Sequence, residues 1–353
     1  MERNLIRWLE SKWFRWLGRR RMAEKPGLAL AHFHRAAELD PNNLGTQVQV
    51  AWCLHKVGNH NAAIDQFELV LQKRPDYGAA HVYLALTLAE IHRTQHAVDE
   101  VRRGLRTLKK KQTRAFFETH LGQWLNELGR SEEAIEPLRN AIASQPHSAS
   151  AHYQLGYAYA RIERHDEAEK EFRESIRFNP AWASTYYSLG QSLVELKKFD
   201  DATIAYKEAI RLCPNDADAR FSLAVVHGQL GRHDDEISEY KRGIETAPDD
   251  FQAWNNLAIT YSQVGDHESA IAAWKTAIKL HSQDVKAYEG LGLEYHNLER
   301  FEEALNVAQE IERIRVAGYL TRLGKLDEGL TKHEALCNLI KTVPMRILSL
   351  AMP

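Results

Sequence analysis

The feature that most constrains this chain is a sequence period of about 34 residues, the length of one helical hairpin. The stretch HYQLGYAYARIERHDEAEKEFRESIRFNPAW (152–182) returns as YYSLGQSLVELKKFDDATIAYKEAIRLCPND (186–216). Leu189 and Gly190 stand one period after Leu155 and Gly156, and Ala202, Tyr206 and Pro214 stand one period after Ala168, Phe172 and Pro180. A small residue recurs at Ala29, Ala63, Ala97, Ala134, Ala168, Ala202, Ala270 and Ala304, and a proline at Pro41, Pro75, Pro146, Pro180, Pro214 and Pro248. Self-similarity at this spacing marks a repeat architecture rather than a chain folded around one centre.

Within each unit the apolar residues fall at helical spacing, as in Tyr186, Leu189, Leu193 and Leu196. A short polar turn such as KKFDD reverses the chain, and a second helix follows. Proline ends that helix because it has no N–H to continue the hydrogen-bond ladder. Gly190 on one helix and Ala202 on the other let the two axes approach closely. One hairpin cannot bury its apolar face alone, so neighbours must stack into a continuous core. The expected fold class is all-α, a solenoid of stacked antiparallel helix pairs.

The pattern W-x2-L-G-x2-Y…A-x3-F…A…P is matched by AWNNLAITYSQVGDHESAIAAWKTAIKL (253–280) through Trp254, Leu257, Tyr261, Ala270, Trp274 and Ala277. With these residues the sequence resembles the tetratricopeptide repeat family, from about residue 10 to residue 341. The resemblance implies a right-handed superhelical solenoid. It implies little about function, because the motif residues are the packing residues. The frames place an N-terminal amphipathic helix and degenerate first repeat or cap at 1–43, eight repeats at 44–309 with the last one shortened, and a degenerate repeat with a capping tail at 310–353. An insertion, KQT at 112–114, loosens one junction. No Pro or Gly breaks 302–317, so the second helix of the last array repeat is expected to run on. Glu236 stands where sister repeats place alanine, and a carboxylate at a close helix contact is costly unless it reaches water or a partner. It is expected to tilt outward; a buried functional acid is the other reading.

Composition excludes several classes. The formal net charge is −2, so no global basic field invites nucleic acid. The balance is uneven: residues 1–26 carry eight Lys/Arg against three Asp/Glu. Cys53, Cys213 and Cys337 lie far apart and form neither a metal spacing nor a disulfide framework. No apolar run approaches the ~20 residues of a membrane span, and Arg7, Glu10, Lys12 and Arg15 interrupt any secretory h-region. A cytoplasmic protein is expected.

No constellation of reactive groups emerges. His60, His165, His233 and His267 fall in the turn slot that Phe199 and Phe301 fill elsewhere, which is a packing role. His92 and His96 are four apart without a third local ligand. GLGLEY (290–295) follows no strand and is no nucleotide loop. No catalytic residue, metal, cofactor or small-molecule substrate is expected.

Binding is expected on the first helices, whose residues not used in packing line the concave face. In successive repeats these are Tyr153, Gln154 and Tyr157, then Tyr187, Ser188 and Gln191, then Phe221, and then Asn255 and Asn256. An aromatic stripe beside an uncharged amide row suits an extended peptide, with amides bonding its backbone and rings covering its apolar side chains. One subclass of the family that the chain resembles grips acidic tails through a Lys/Asn/Lys/Arg clamp. Here the corresponding slots hold Tyr153 with Tyr157, Tyr187 with Gln191, and Asn255 with Ile259, so that clamp is absent. The asparagine ladder of another subclass is only partial, at Gln154, Ser188, Ser222 and Asn256. The leading reading is a non-enzymatic scaffold or adaptor for a protein or peptide partner. Arg102, Arg103, Arg106, Lys109, Lys110, Lys111 and Arg114 form a basic cluster, read as a solvated face or as a contact for an acidic partner or anionic lipid.

The alternative reading rests on NLIRWLESKWFRWLGRRR (4–21). Placed in the frame set by Ala29, Phe33, Ala36 and Pro41, its Trp13, Trp16 and Leu17 occupy packing slots and cap the array. Trp8 and Phe14 are then left at the flanks, with Arg19, Arg20 and Arg21 behind them. Interfacial helices combine Trp and Arg in this way, so these five residues are the candidates for contact with an anionic membrane surface or a membrane complex. The tail TVPMRILSLAMP is expected to cover the last repeat.

Overall fold

A computed structural model describes the backbone of residues 2–322 and the side chains of residues 6–315. Eighteen helices and no strand are present among the described residues. They run α1 Glu2–Arg21, α2 Pro26–Leu39, α3 Leu44–Lys56, α4 His60–Lys73, α5 Gly78–Glu90, α6 Thr94–Leu105, α7 Lys111–Glu127, α8 Ser131–Ser144 and α9 Ala149–Arg161. They continue as α10 His165–Phe178, α11 Ala183–Glu195, α12 Phe199–Leu212, α13 Ala217–Gln229, α14 His233–Thr246, α15 Phe251–Gln263, α16 His267–Leu280, α17 Val285–Asn297 and α18 Phe301–Arg322. The chain divides into two compact units, Met1–Leu196 and Lys197–Pro353, and the expected array of 44–309 straddles both. Each unit is an all-α stack of helix pairs, in which each pair packs on the next.

The pairing follows from residue size. The second helices carry a ring or branched side chain at Phe33, Phe67, Val101, Leu138, Phe172, Tyr206, Tyr240 and Trp274, all buried. Opposite some of them stands a glycine: a Cβ on Gly156 would lie 2.8 Å from Phe172, and one on Gly122 would lie 2.3 Å from Leu138. Without that Cβ the ring seats against the facing backbone, and interior packing tolerates no extra atom there. The alanines at the start of the second helices, Ala29, Ala63, Ala97, Ala134, Ala168, Ala202 and Ala270, are all fully buried.

The tight turn inside every pair but α1–α2 has one residue in the left-handed region. Gly58, Gly129, Gly231 and Gly265 supply it with φ between 68° and 83°, and His92, Glu163, Lys197 and Glu299 supply it with φ between 57° and 62°. Half of these turns therefore accept the steric cost that a Cβ brings to that conformation. The junction between pairs is sealed by side-chain caps: Asn43, Ser148, Asp216, Asp250 and Asp284 each accept an N–H from the first turn of the following helix.

The residues of the KQT insertion lie within α7 and extend it by a turn at its N-terminus, to 17 residues. The run-on past residue 302 is present as α18, a single helix of 22 residues. Residues 323–353, with the last degenerate copy, Cys337 and the apolar tail, lie outside the described residues.

Candidate functional site

The first helices are fixed in place by side-chain hydrogen bonds to the preceding repeat. The fourth residue of α3, α5, α9, α13 and α15 donates a hydrogen bond to the carbonyl of the proline that closes the preceding repeat. The donors are Gln47 to Pro41 (2.5 Å), His81 to Pro75 (2.7 Å), His152 to Pro146 (3.0 Å), Arg220 to Pro214 (3.1 Å) and Trp254 to Pro248 (2.9 Å). Four residue types perform one task, which is to satisfy a carbonyl stranded in the junction. His81, His152 and Arg220 also face a carboxylate of the paired helix, at Glu100 (2.6 Å), Glu171 (2.6 Å) and Glu239 (3.0 Å). A histidine between a carbonyl and a carboxylate has two acceptors to satisfy, so both ring nitrogens must donate and the cation is favoured. Accordingly Glu100, against burial, raises the pKa of His81. For His152 burial works the other way, yet the Glu171 hydrogen bond and the Pro146 carbonyl prevail and its pKa is also raised.

On the face of α3, α5 and α7 these helices enclose a cleft of about 570 Å³. Its walls are Trp52, His55, Tyr83, Phe116, Phe117 and His120, with Lys56 and Glu90 among the charged lining and Gln112 and Thr113 of the insertion at one end. The rings form a continuous series. Trp52 stacks on His55 with centroids 4.5 Å apart and meets Tyr83 at 4.8 Å; Tyr83 meets Phe117 at 6.0 Å, Phe117 meets Phe116 at 5.0 Å, and Phe116 meets His120 at 4.5 Å. Burial pushes the pKa of both His55 and His120 down, so the two imidazoles are neutral at pH 7. The Nδ1 atom of His55 is buried without a partner in the chain. Phe116 is 49% exposed, an apolar ring open to an incoming group.

This cleft is not visible from aromatics at one equivalent position: Trp52, Tyr83 and Phe116 come from three different positions of their repeats and meet only because neighbouring first helices lie side by side. The signal was present in the insertion, which adds a turn to the helix carrying Phe116.

The residues that the sequence nominated are distributed between the two units. In the first, Tyr153 is half-buried, its ring 4.7 Å from Trp182, 5.9 Å from Phe172 and 6.5 Å from Tyr157. The carbonyl and side-chain oxygen of Gln154 both accept from Asn126, at 3.0 and 3.2 Å. Tyr187 is half-buried and Gln191 exposed, but Ser188 is buried. In the second unit, Phe221 packs against Tyr240 at 6.2 Å over Gly243, where a Cβ would lie 2.2 Å from its ring. Asn255 is buried and donates to Asp284 at 3.4 Å, while Asn256 is half-buried. Phe221 thus faces the second helix of its own pair, Asn255 reaches the following repeat, and Ser188 is buried.

The N-terminal helix corrects the sequence reading more sharply. Trp13 and Trp16, expected to pack, are 56% and 52% exposed, and Trp8 is 45% exposed. Phe14, expected at the flank, is half-buried and stacks on His32 at 6.1 Å. The reason is a shift of one position. Gly18 takes the close-approach site, with a Cβ there 2.7 Å from Phe33. The step from Gly18 to Phe33 is one position shorter than the equivalent step from Gly156 to Phe172. A single position turns a helix by about 100°, which carries Ser11, Phe14 and Gly18 inward and Trp13 and Trp16 outward. Ser11 is fully buried and donates to the Ala36 carbonyl at 3.2 Å. Arg19, Arg20 and Arg21 are exposed, with Arg20 over the Trp16 ring at 5.4 Å. No helix among the described residues is long and apolar enough to cross a membrane.

Glu236 also departs from expectation. It is 8% exposed, accepts from Thr260 Oγ1 at 2.8 Å and meets His233 Nδ1 at 3.0 Å. Gly228 makes the room, since a Cβ there would lie 2.8 Å from Glu236 Oε1. His267 plays a similar part for buried Glu294, at 2.7 Å, so two of the four turn histidines hold acids rather than only pack. In the basic cluster, Arg102 pairs with Glu133 at 2.8 Å, Arg103 with Glu100 at 2.6 Å and Arg114 with Glu118 at 3.0 Å, while Arg106, Lys109, Lys110 and Lys111 face solvent. Among the described residues no three His, Cys, Asp or Glu side chains gather as a metal site.

Comparison with known families agrees with this geometry. Residues 124–181, 217–250 and 239–272 match the tetratricopeptide repeat, and residues 190–231 match the TPR repeat. The chain is a tetratricopeptide repeat protein. No curated protein matches its sequence. Among solved structures, it is similar to the C-terminal part of a TPR repeat-containing protein from Cytophaga hutchinsonii, at 21% identity and TM-score 0.59, over 69% of this chain and 99% of that one. It is also similar to YrrB, described as a TPR protein with an unusual peptide-binding site, at 24% identity and TM-score 0.46, over 50% of this chain and 90% of that one. A third match is MamA, at 23% identity and TM-score 0.45, over 47% of this chain and 97% of that one. At these identities the likeness is one of fold.

The paired histidines give this tetratricopeptide repeat protein a pH signature. A raised folded pKa adds stability in full below the ordinary histidine value, about 6.5, and that stability is lost as pH rises through the folded value. Gln47 shows that glutamine can make the same bond to a proline carbonyl without charge. The stability difference between wild type and His81→Gln/His152→Gln is therefore expected to be largest near pH 6 and to shrink toward pH 8.5, measured by urea denaturation. A difference that grows with pH would contradict the assignment.

Proposed function

We propose that this protein is a non-enzymatic scaffold that holds a peptide or protein segment against its first helices, with the cleft of α3, α5 and α7 as the anchoring site. The observation that carries this reading is the uninterrupted series of rings from Trp52 to His120 around about 570 Å³ of open space. Rings offer large, rigid contact area at small entropic cost, and the neutral imidazoles can bond a peptide group without selecting charge. The strip of Tyr153, Tyr157 and Gln191 extends the contact within the first unit, and Asn256 offers an amide in the second. In this reading residues 1–43 form the N-terminal cap, 44–309 the array and 310–353 its closing end.

A second reading is favoured by one observation. Ile6, Leu9, Trp13 and Trp16 follow helical spacing and are 52–56% exposed, on a helix that ends in Arg19, Arg20 and Arg21. An apolar stripe beside cations suits an anionic membrane surface, where the rings enter the headgroup region and the arginines meet phosphates. The two readings are compatible: the same protein can be held at a membrane by α1 and recruit a partner elsewhere.

Trp52→Ala/Phe116→Ala is expected to weaken capture of a partner by about 2 kcal/mol, roughly thirty-fold in Kd. The measurement is quantitative affinity purification followed by titration of the recovered partner, with circular dichroism as the folding control. A partner set unchanged by this variant and by Tyr153→Ala/Tyr157→Ala/Tyr187→Ala sinks the scaffold reading. For the membrane reading, the full chain is expected to float with anionic liposomes at low salt and Trp13→Ala/Trp16→Ala to stay in the soluble fraction. Equal flotation of the two, or none, excludes docking through this face.

A further inference from the structure

Three described carboxylates are more than nine-tenths buried: Glu118, Glu236 and Glu294. Burying an ionised carboxylate is costly unless something answers its charge. Glu118 is answered by Arg114 at 3.0 Å. Glu294 is 1% exposed and closed in by the Ser262 hydroxyl and by His267. Glu236 differs because it lines a cavity of about 240 Å³ on the face of α13 and α15. That is several times the ~30 Å³ share of a water molecule in the liquid.

The rest of that cavity has a definite chemistry. Val225 and Ile259, 42% and 44% exposed, give it apolar walls, and Gln229, Asn256 and Gln263 give it uncharged amides. Thr260 and His233 occupy two acceptor positions of the Glu236 carboxylate, which has about four in all. Of the basic residues close to it in sequence, Arg232 pairs with Asp200 at 3.2 Å and Lys241 lies over the Tyr261 ring at 5.4 Å. The arrangement is also coupled in sequence. Sister repeats place alanine at the Glu236 position, and here the carboxylate packs against Gly228, where a Cβ would lie 2.8 Å from its Oε1.

We propose that this cavity receives the cationic side chain of an arginine or lysine in a bound peptide. The apolar walls take the methylene stem, as long basic side chains bury theirs against apolar surface. The buried carboxylate takes the charged head through charge-assisted hydrogen bonds, and the amides are placed to bond the peptide backbone. The inference rests on the scaffold reading for its biological ligand and adds a requirement: a basic residue at one position of that ligand.

The test uses the full chain and N-acetyl-L-arginine amide as probe, with N-acetyl-L-norleucine amide as the uncharged control. Binding is followed by NMR through the side-chain amide resonances of Gln229, Asn256 and Gln263. The arginine probe is expected to shift these resonances while the norleucine probe does not, and Glu236→Gln is expected to weaken the effect by roughly tenfold or more, the loss of a hydrogen bond to a charged group. Glu236→Ala, which installs the residue of the sister repeats, is expected to fold and to show the same loss. No shift in the wild type, or equal binding by Glu236→Gln, overturns the proposal. Because the probe requires no peptide, that failure is distinct from failure of the scaffold reading, which the cleft variants test separately.

Discussion

Everything in this molecule depends on how closely the two helices of a pair approach. In several pairs a glycine on one helix sits beneath a ring or branched side chain on the other, as Gly156 does beneath Phe172 and Gly122 beneath Leu138. The contact leaves no room for a Cβ, so it acts as a register pin. Once pinned, each helix has its buried face decided, and every other residue is assigned by the helical period to a neighbouring pair or to water. Binding surface in such a fold is what the register leaves over.

The second constraint is the junction. Proline follows six of the second helices, and at five of these junctions the next helix returns a side-chain donor to the proline carbonyl. That glutamine, histidine, arginine and tryptophan all serve shows that the junction requires an N–H at a fixed place rather than a given residue. Histidine and arginine add an ion pair to the paired helix, and the histidines make that contribution depend on pH. The scaffold is thus uniform in geometry and varied in electrostatics.

The fold was legible in the sequence because its rules are local and repeated. Alanine, proline and the aromatic positions recur at one spacing, and each copy corroborates the others. The surfaces were less legible for three physical reasons. A one-position difference in the first hairpin rotated α1, which exposed Trp13 and Trp16 and drew Phe14 inward; a frame counted back from Ala29 cannot register it. Glu236 is buried rather than tilted outward because its neighbours stand on other helices, Gly228 on α13 and Thr260 on α15, where its own repeat position does not reveal them. The ring cleft combines unlike positions of three repeats, so a search along equivalent positions finds Tyr153, Tyr187 and Phe221 and misses Trp52, Tyr83 and Phe116. Contacts within a repeat can be read from one copy, but surfaces shared by several repeats depend on how they stack.

The register pin at Gly18 is where this account is most exposed, because the alternative frame assigns opposite roles to the same residues. Hydrogen exchange of the α2 backbone, Pro26–Leu39, reads the first pair locally. With Gly18 as the pin, Gly18→Val overpacks the contact with Phe33 and lowers α2 protection by about 2 kcal/mol, roughly thirty-fold. Trp13→Ala/Trp16→Ala then leaves that protection within about 0.5 kcal/mol of wild type, as for surface substitutions. The reverse pattern, with Gly18→Val tolerated and the tryptophan variant costing about 3 kcal/mol or more as core truncations do, would show that the tryptophans are packed and that the close-approach glycine does not set the register.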